Sequence, residues 1–403
     1  MSAVWEGYRL RPRTLVGATI LRIMPDGCDV PTARIALETT HALLHAGARA
    51  IVASSGGPLT DAFQSAGAEW LPFAVTAANP LKLRRSAQAL ERYAASERVD
   101  IVHAIGGGAA RIARIAAAQT PMLLVTSLPD FPTRRSSILH FLDASLAHGD
   151  RVIASSAFVA KPWVERYRLT QDRIAIIPHS VDTGRFAPTS VTSDRIDAIR
   201  QAWTLLPTDR AVLVPGRLVP DNGQRTVLDS AIGLVKSGMR NAVFVLAGDH
   251  HPDPYFAKSL TAQAQARGVD RAIRIVAMPR DLPAALAAAH TVVVPALQPP
   301  VIGRIAAQAQ AMGRPVIAAD IGVLPEMMLV PPRMADELRT GWSVKAGDAA
   351  SLGRALYCAL TLDRMGYQAL AARARRFAEF MFAPERVAAA TRAVYTSLLA
   401  RNA

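Results

Sequence analysis

Residues able to bind a phosphorylated ligand follow a strand-like apolar run in the second half of the chain. The sequence Val-Pro-Gly-Arg-Leu places Gly216 and Arg217 at the end of that run, and Asp221 and Asn222 follow before a helical pattern. A glycine at the carboxyl end of a strand lets the backbone approach phosphate oxygens, and an arginine there can bind two oxygens at once. A structural interpretation stays open, because Asp221 and Asn222 are also ordinary turn residues.

A longer motif occupies residues 292–326. It reads strand, proline-rich loop, Gly303, a helix that contains Gln308 and stops at Gly313, a second strand, and a turn that contains Glu326. The Gly-Arg-Pro stop is typical of a helix that leads into a buried strand. Glu326 could bind a ligand or cap the following turn, and the sequence alone leaves both interpretations open.

The first half of the chain carries a glycine loop of its own. The predicted strand that contains His103 runs directly into Gly106, Gly107 and Gly108, and a helical pattern follows. The loop between a parallel strand and its helix is the usual place for a ligand. His103 could serve as a base, but we expect a strand-end histidine satisfied by backbone atoms. The nine histidines show no metal-ligand spacing, and Cys28 and Cys358 form no Cys-x-x-Cys pair, so no metal site is predicted.

These motifs need a scaffold of parallel sheets. Strand-like runs alternate with helical patterns in both halves, which indicates βαβ units and an α/β fold. The predicted strands are 18–23, 50–53, 101–104, 122–126, 152–154, 174–177, 211–215, 243–247, 273–276, 292–294, 316–318 and 342–344. We expect an N-terminal Rossmann-like domain over 1–182, a linker over 183–207, a C-terminal Rossmann-like domain over 208–383, and a last helix within 384–403.

Composition and charge limit the classes of partner. Of the 403 residues, 51% are hydrophobic and 19% are charged, which suits buried parallel sheets. The net charge of +14 favours anionic partners or the anionic face of a membrane, although a solvated arginine-rich surface is an equal alternative. No basic run is interleaved with aromatic residues, so nucleic-acid binding is not expected. Arginines precede any apolar run at the N-terminus, and no run is long enough to span a membrane, so we expect a cytoplasmic protein, with possible peripheral contact at the inner membrane face.

The order of the motifs resembles the retaining family-4 (group 1) glycosyltransferases of the GT-B fold, of the bacterial lipopolysaccharide and polysaccharide type. The resemblance covers nearly the full chain, and the Gly-Arg-Leu and Ala-Met-Gly-Arg-Pro blocks at 216–218 and 311–315 match best. It implies two Rossmann-like domains facing each other across a cleft, and a last helix within 384–403 that crosses back to the first domain. The C-terminal domain would hold a nucleotide-sugar, and the N-terminal domain a saccharide or lipid-linked acceptor. No cofactor is implied beyond the nucleotide-sugar as co-substrate.

The resemblance also assigns roles to residues. Arg217 matches the arginine that binds the donor diphosphate, and Glu326 lies on the nucleotide side of the pocket. Gly216 and Gly303 match the family's packing glycines. On the acceptor side the matching residues are His103, Gly106 and Gly107.

Several positions depart from the family pattern. The lysine that binds the diphosphate is replaced by Asn222, and the two glutamates spaced Glu-x7-Glu are replaced by Pro300 and Gln308. In the first half, residues 26–31 replace a Gly-Gly-x-Glu loop, and Pro129-Asp130 stands where the family has His-Gly. Prolines 299 and 300 are expected to stiffen loop 297–302 and narrow the donor pocket.

Two functions are therefore predicted as alternatives. The first is transfer of a sugar from a nucleotide-sugar donor to a saccharide or lipid-linked acceptor in cell-surface glycan synthesis. The second is a catalytically inactive relative that acts as a binding or regulatory partner of another protein. No catalytic residue is assigned from the sequence.

Overall fold

The computed structural model describes residues 14–24, 30–57, 60–75, 79–129, 144–249, 253–300 and 302–401. Its strands are β1 (Thr19–Ile23), β2 (Arg49–Ser54), β3 (Glu69–Pro72), β4 (Ile101–Ile105), β5 (Leu123–Ser127), β6 (Arg151–Ala154), β7 (Ile174–Ile176), β8 (Arg210–Pro215), β9 (Ala242–Ala247), β10 (Ile273–Val276), β11 (Thr291–Val294), β12 (Val316–Ala319) and β13 (Gly341–Val344).

The helices alternate with these strands. They are α1 (Val30–His45), α2 (Thr60–Ser65), α3 (Pro80–Ser96), α4 (Gly107–Ala117), α5 (Ala157–Tyr167), α6 (Ser193–Ala202), α7 (Gln224–Lys236), α8 (Pro254–Ala266), α9 (Leu282–Ala288), α10 (Arg304–Ala311), α11 (Ala349–Thr361), α12 (Arg364–Phe382) and α13 (Pro384–Arg401).

The described strands form two parallel sheets with related topologies. The first has the order β3-β2-β1-β4-β5-β6-β7, and the second β10-β9-β8-β11-β12-β13. Each sheet starts at a central strand, grows outward in one direction, and then continues on the other side of that strand. The reversal falls between β1 and β4 in the first sheet and between β8 and β11 in the second. The predicted α/β class with two Rossmann-like sheets is confirmed.

The element boundaries follow local chemistry. The sequence predicts a helix over 80–96, and helix α3 has these bounds. It begins at Pro80 because Asn79 accepts hydrogen bonds from the N–H groups of Leu81 (2.9 Å) and Lys82 (3.2 Å). Pro80 occupies the first helical position, where its missing N–H costs nothing. Strand β9 is buried along its whole length, as expected for an apolar strand with helices on both faces.

Strand β3 was not predicted from the sequence. It is a four-residue edge strand whose side chains are exposed or half-buried. Its Glu-Trp-Leu-Pro sequence shows neither an apolar run nor a clear alternation, so the pattern that identifies the buried strands is missing.

The chain divides into two compact units. One comprises Met1–Ser180 together with Pro384–Ala403, and the other comprises Val181–Ala383. Within the first unit α13 packs against α1 and contributes Tyr395 to the core, with none of its surface exposed. Within the second, Trp203, in the segment for which the sequence predicts a linker, is buried in the core.

Candidate functional site

The second unit offers a ligand position at its strand reversal, where the loops after β8 and β11 meet. In the loop after β8, Gly216 has a φ of +150°, and its N–H donates to the Ala247 carbonyl at 2.9 Å. A Cβ on Gly248 would lie 1.8 Å from the Gly216 carbonyl oxygen. Two backbones thus approach each other too closely for side chains at this sheet edge.

Gly223 brings the loop after β8 against the loop after β11. Its φ is +75°, and a Cβ there would lie 1.9 Å from the Pro295 carbonyl oxygen. The Leu297 N–H donates to the Asp221 carbonyl at 2.9 Å, which joins the same two loops a second time. The two loops therefore form one continuous surface beside the reversal point.

Arg217 lies on this surface with an exposed side chain. Its carbonyl accepts hydrogen bonds from Asn222 Nδ2 (2.7 Å) and Gln224 Nε2 (2.8 Å). Its guanidinium has no hydrogen-bond or ion-pair partner among the described residues. An unpaired guanidinium at the carboxyl edge of a parallel sheet can bind phosphate oxygens without first breaking an internal ion pair.

The predicted residues after β11 flank the same edge. The Pro300 carbonyl accepts a hydrogen bond from the Val323 N–H at 2.9 Å. Gly303 packs closely against Met327, because a Cβ on Gly303 would lie 2.3 Å from the Met327 Cγ. Gln308 is half-buried on α10, and Glu326 is half-buried in the short turn Leu324–Met327. The loop before α10 is thus packed against the loop after β12.

Some residues that shape this edge were missed in the sequence. Gly223 and Gly322 both have positive φ, and a Cβ on Gly322 would lie 2.4 Å from the Pro300 carbonyl oxygen. Gln310 is fully buried, and its Nε2 donates to the Met327 carbonyl. The two glycines follow strand-like runs, which is a usable signal, but nothing local distinguishes Gln310 from Gln308.

The first unit offers a second position, at the reversal between β1 and β4. Arg22 of β1 is in register with His103 of β4, and their exposed fractions are only 3% and 2%. Hydrogen bonds join His103 Nδ1 to the Tyr395 hydroxyl (2.6 Å) and His103 Nε2 to the Ser127 hydroxyl (2.8 Å). Side chains satisfy the ring, so the expectation that backbone atoms would do so is wrong.

Burial fixes the protonation states of His103 and Tyr395. Desolvation, with a smaller contribution from the Arg22 charge, lowers the pKa of His103 well below its ordinary value. Burial raises the pKa of Tyr395, so its phenol stays protonated near neutral pH. The neutral imidazole has one donor and one acceptor nitrogen, which its two hydroxyl partners complement.

A cavity of about 270 Å³ opens beside this group. Its walls include Arg22, His103, Gly106, Ser127, His179 and Thr391. Gly106 has a φ of +86° and directly precedes α4, which begins at Gly107. The cavity combines hydroxyl and imidazole groups with one buried cation, which suits a ligand rich in hydroxyl groups.

The sequence missed Arg22 and Tyr395. The arginine inside the apolar strand Thr-Ile-Leu-Arg-Ile could have been noticed in the sequence, because a charged side chain is rarely buried in a strand unless a partner compensates its charge. Tyr395 gave no signal, because it reaches His103 from the other end of the chain. Of the predicted loop at 26–31, residues 26–29 lie outside the described residues and residues 30 and 31 begin α1. Asp130 also lies outside the described residues, whereas Pro129 lines the cavity.

The described residues hold neither a metal-binding cluster nor a membrane-spanning helix. They contain no group of three or more His, Cys, Asp or Glu side chains arranged to hold a metal ion. None of their helices combines the length and the apolar character needed to cross a membrane.

Comparison with family models identifies both halves of the chain. Residues 32–185 match the model "Glycosyltransferase Family 4", and residues 209–361 match "Glycosyl transferases group 1". A D-inositol 3-phosphate glycosyltransferase from Nocardia farcinica is 30% identical over 241 residues, which are 56% of this chain and 49% of that protein. The chain thus spans about half the length of the curated relatives it matches.

Solved structures show the same fold at low identity. A glycosyltransferase from Rickettsia africae matches with a TM-score of 0.79 and 20% identity, over 95% of this chain and 99% of the other. Anabaena HepE in complex with UDP matches with a TM-score of 0.73 and 17% identity, over 94% and 100%. HepE in complex with UDP-glucose matches with a TM-score of 0.68. The fold is therefore that of GT-B glycosyltransferases, and the chain carries a family 4 glycosyltransferase domain over residues 32–185 and a group 1 glycosyltransferase domain over residues 209–361.

Proposed function

We propose that the protein transfers a sugar from a nucleotide-sugar to a hydroxyl-bearing saccharide or lipid-linked acceptor. The observation that carries this proposal is the exposed, unpaired guanidinium of Arg217 beside the glycine loops of the second sheet. The diphosphate of the donor would bind Arg217 and the N–H groups of that edge. UDP is the first nucleotide to test, because HepE has been solved with UDP and with UDP-glucose.

The acceptor would occupy the cavity of the first unit. A neutral His103, held by two hydroxyl groups, can exchange hydrogen bonds with sugar hydroxyls but carries no charge to attract an anion. Arg22 supplies the positive charge in the wall, so an acceptor that bears a phosphate or carboxylate is also accommodated.

The reaction follows the retaining chemistry that the resemblance implies. The bond between the anomeric carbon and the diphosphate oxygen breaks, and a bond from the acceptor hydroxyl oxygen forms on the same face of the sugar. The hydroxyl proton passes to the departing phosphate, so atoms and charges balance. The charge that develops on the diphosphate would be stabilised by Arg217 and backbone N–H groups.

A binding-only function is the second candidate, and specific residues favour it. Asn222 stands at the lysine position, and its amide is hydrogen-bonded to the Arg217 carbonyl. Pro300 stands at a glutamate position and has no side-chain acceptor for a sugar hydroxyl. Each lost charge-assisted hydrogen bond costs about 1.5–3 kcal/mol. In this alternative the protein binds a nucleotide weakly and acts as a partner of another protein.

Calorimetric titration with UDP, GDP, UDP-glucose and GDP-mannose distinguishes the candidates, together with an assay for nucleotide release in the presence of saccharide acceptors. Saturable binding that weakens at least tenfold in Arg217→Gln, with sugar-dependent release, supports the transferase. Binding without release supports the second candidate. Binding unchanged in Arg217→Gln contradicts the proposed nucleotide site. Arg225→Gln is the control, since Arg225 also follows β8 but lies over the Phe256 ring.

The cellular role is part of the same proposal. We place the protein at the inner face of the membrane, in the synthesis of a cell-surface glycan. The net charge of +14 supports contact with anionic lipid, and the resemblance supports a glycan acceptor.

A further inference from the structure

Basic residues stand before three adjacent strands at the amino edge of the second sheet. Arg210 begins β8, His290 directly precedes β11, and Arg314 lies two residues before β12. The sheet order places β8, β11 and β12 side by side. Because all three strands are parallel, these residues share the edge opposite to the one that carries Arg217.

A cavity of about 500 Å³ lies at this amino edge. Besides the three basic residues above, its lining includes Arg200, Arg364, Asp209, Asp363 and Tyr367. Cavities of this size accommodate small organic ligands, and this one is separate from the glycine loops of the carboxyl edge.

The two carboxylates of the cavity each accept a hydrogen bond from a backbone N–H group. Asp209 accepts a hydrogen bond from the Leu206 N–H at 2.8 Å, and Asp363 accepts one from the Gly366 N–H at 2.7 Å. Arg200 is also occupied, because it donates to the Leu206 carbonyl at 2.5 Å.

Arg210 and Arg314 have no carboxylate partner among the described residues. Arg314 Nη1 donates to the Tyr367 hydroxyl at 3.3 Å, which is a neutral acceptor. Its Nε is buried and has no acceptor in the described part of the chain. The lining holds four arginines and two aspartates, so its formal net charge is +2, and neither Arg210 nor Arg314 is paired with a carboxylate of the described residues.

Aromatic contacts hold this wall in place. The Tyr367 hydroxyl donates to the His290 carbonyl at 2.9 Å, and the two rings stack with centroids 4.5 Å apart. Burial, followed by the charge of Arg210, lowers the pKa of His290 to about 4. A hydrogen bond to the Ala359 carbonyl opposes this shift, and the charge of Arg314 adds a smaller lowering. The ring is thus neutral at pH 7 and lies within the field of both arginines.

We propose that this amino-edge cavity binds the phosphate group of a phosphorylated small molecule, between Arg210 and Arg314. A phosphate dianion matches two unpaired guanidiniums in charge and can accept several N–H donors at once. The cavity is large enough to hold an organic group beside the phosphate. The stacked His290 and Tyr367 rings offer an uncharged surface for it.

The test uses the whole chain in phosphate-free buffer at pH 7, titrated with glycerol 3-phosphate and, separately, with glycerol. We expect saturable binding of the phosphate ester only, and at least tenfold weaker binding in the double variant Arg210→Gln/Arg314→Gln. Arg271→Gln, an exposed arginine of the same unit, and Arg217→Gln, at the opposite edge, should retain it. An absence of saturable binding, or equal weakening in Arg271→Gln, overturns the proposal.

A second readout separates the site from a folding defect. In wild-type protein the bound anion offsets the charges of Arg210 and Arg314, so the pKa of His290 should rise when glycerol 3-phosphate is added, as measured by NMR of the ring. If the pKa of His290 does not change when glycerol 3-phosphate is added, the proposed site is contradicted. Sedimentation with phosphatidylglycerol vesicles, compared with phosphatidylcholine vesicles, identifies the source of the phosphate. If the wild-type protein sediments with phosphatidylglycerol vesicles and the double variant does not, the phosphate belongs to a lipid headgroup. If the wild-type protein does not sediment with these vesicles, the phosphate belongs to a soluble metabolite.

Discussion

At the scale of single residues, the donor edge combines a retained arginine with two altered partners. Arg217 is exposed and available, whereas the Asn222 amide is hydrogen-bonded to the backbone and Pro300 has no polar side chain. Replacing a cation by an amide removes a charge from the diphosphate position but leaves the loop geometry in place. Affinity for the nucleotide and the additional affinity contributed by the sugar are therefore separable properties of this site.

Asn222→Lys should tighten binding of UDP about five- to thirtyfold without raising the rate of sugar transfer. The new ammonium adds attraction at the phosphates, worth about 1–2 kcal/mol on a half-exposed surface. The sugar is still unheld, because Pro300 is unchanged. Calorimetry with UDP and a nucleotide-release assay measure the two effects. Asn222→Gln is the matched control, and equal tightening in that variant would contradict the charge argument.

The same residues predict that the sugar adds little affinity. Nothing at Pro300 can accept a hydrogen bond through a side chain, so UDP-glucose should bind no more tightly than UDP. Competition of the two ligands for one site measures the ratio. UDP-glucose binding ten times tighter, which corresponds to about 1.4 kcal/mol, would show that another residue has taken over the glutamate's role.

At the scale of elements, glycines decide how closely the loops approach each other. Gly223 and Gly268 have nearly the same φ, +75° and +67°. A Cβ at Gly223 would meet the Pro295 carbonyl at 1.9 Å, whereas a Cβ at Gly268 would meet nothing within 4 Å. The two positions therefore separate the cost of a left-handed backbone from the cost of a steric clash.

Gly223→Ala should destabilise the second unit by about 3 kcal/mol or more, and Gly268→Ala by about 1–2 kcal/mol. Both lose the left-handed preference of glycine, worth about 1–2 kcal/mol, and only the first must also displace the loop after β11, at about 1–3 kcal/mol. Urea denaturation gives both free energies of unfolding. Equal values for the two variants would show that the Pro295 loop moves aside freely.

The elements were largely predictable, because each buried strand is a short apolar run bounded by turn residues. Helix α3 and strand β10 have the predicted limits, whereas the exposed edge strand β3 has no such pattern. Gly216 and Arg217 could be chosen because they follow a strand. Tyr395 could not, since its contact with His103 spans 292 positions of sequence and depends on where the last helix packs.

At the scale of the whole molecule, buried neutral histidines link stability to pH. Burial lowers the pKa of His103 well below 6.5 and that of His290 to about 4. Above pH 6.5 neither the folded nor the unfolded state protonates them. Below that pH the unfolded chain binds protons that the folded chain does not, so acidification favours unfolding.

The urea midpoint should therefore fall as pH decreases from about 7 toward 4. Each histidine that stays neutral in the folded state contributes a loss of up to about 1.4 kcal/mol per pH unit below 6.5. For His290 the loss ends near pH 4, where the folded ring also becomes protonated.

Tyr395→Phe leaves His103 without one hydrogen-bond partner and should lower stability at every pH by about 1–3 kcal/mol. His290→Phe should flatten the pH dependence between 6.5 and 4, because it removes one of the two groups. A wild-type midpoint that is constant between pH 7 and 5 would show that the unfolded state gains no protons over the folded one, and that neither ring is held neutral.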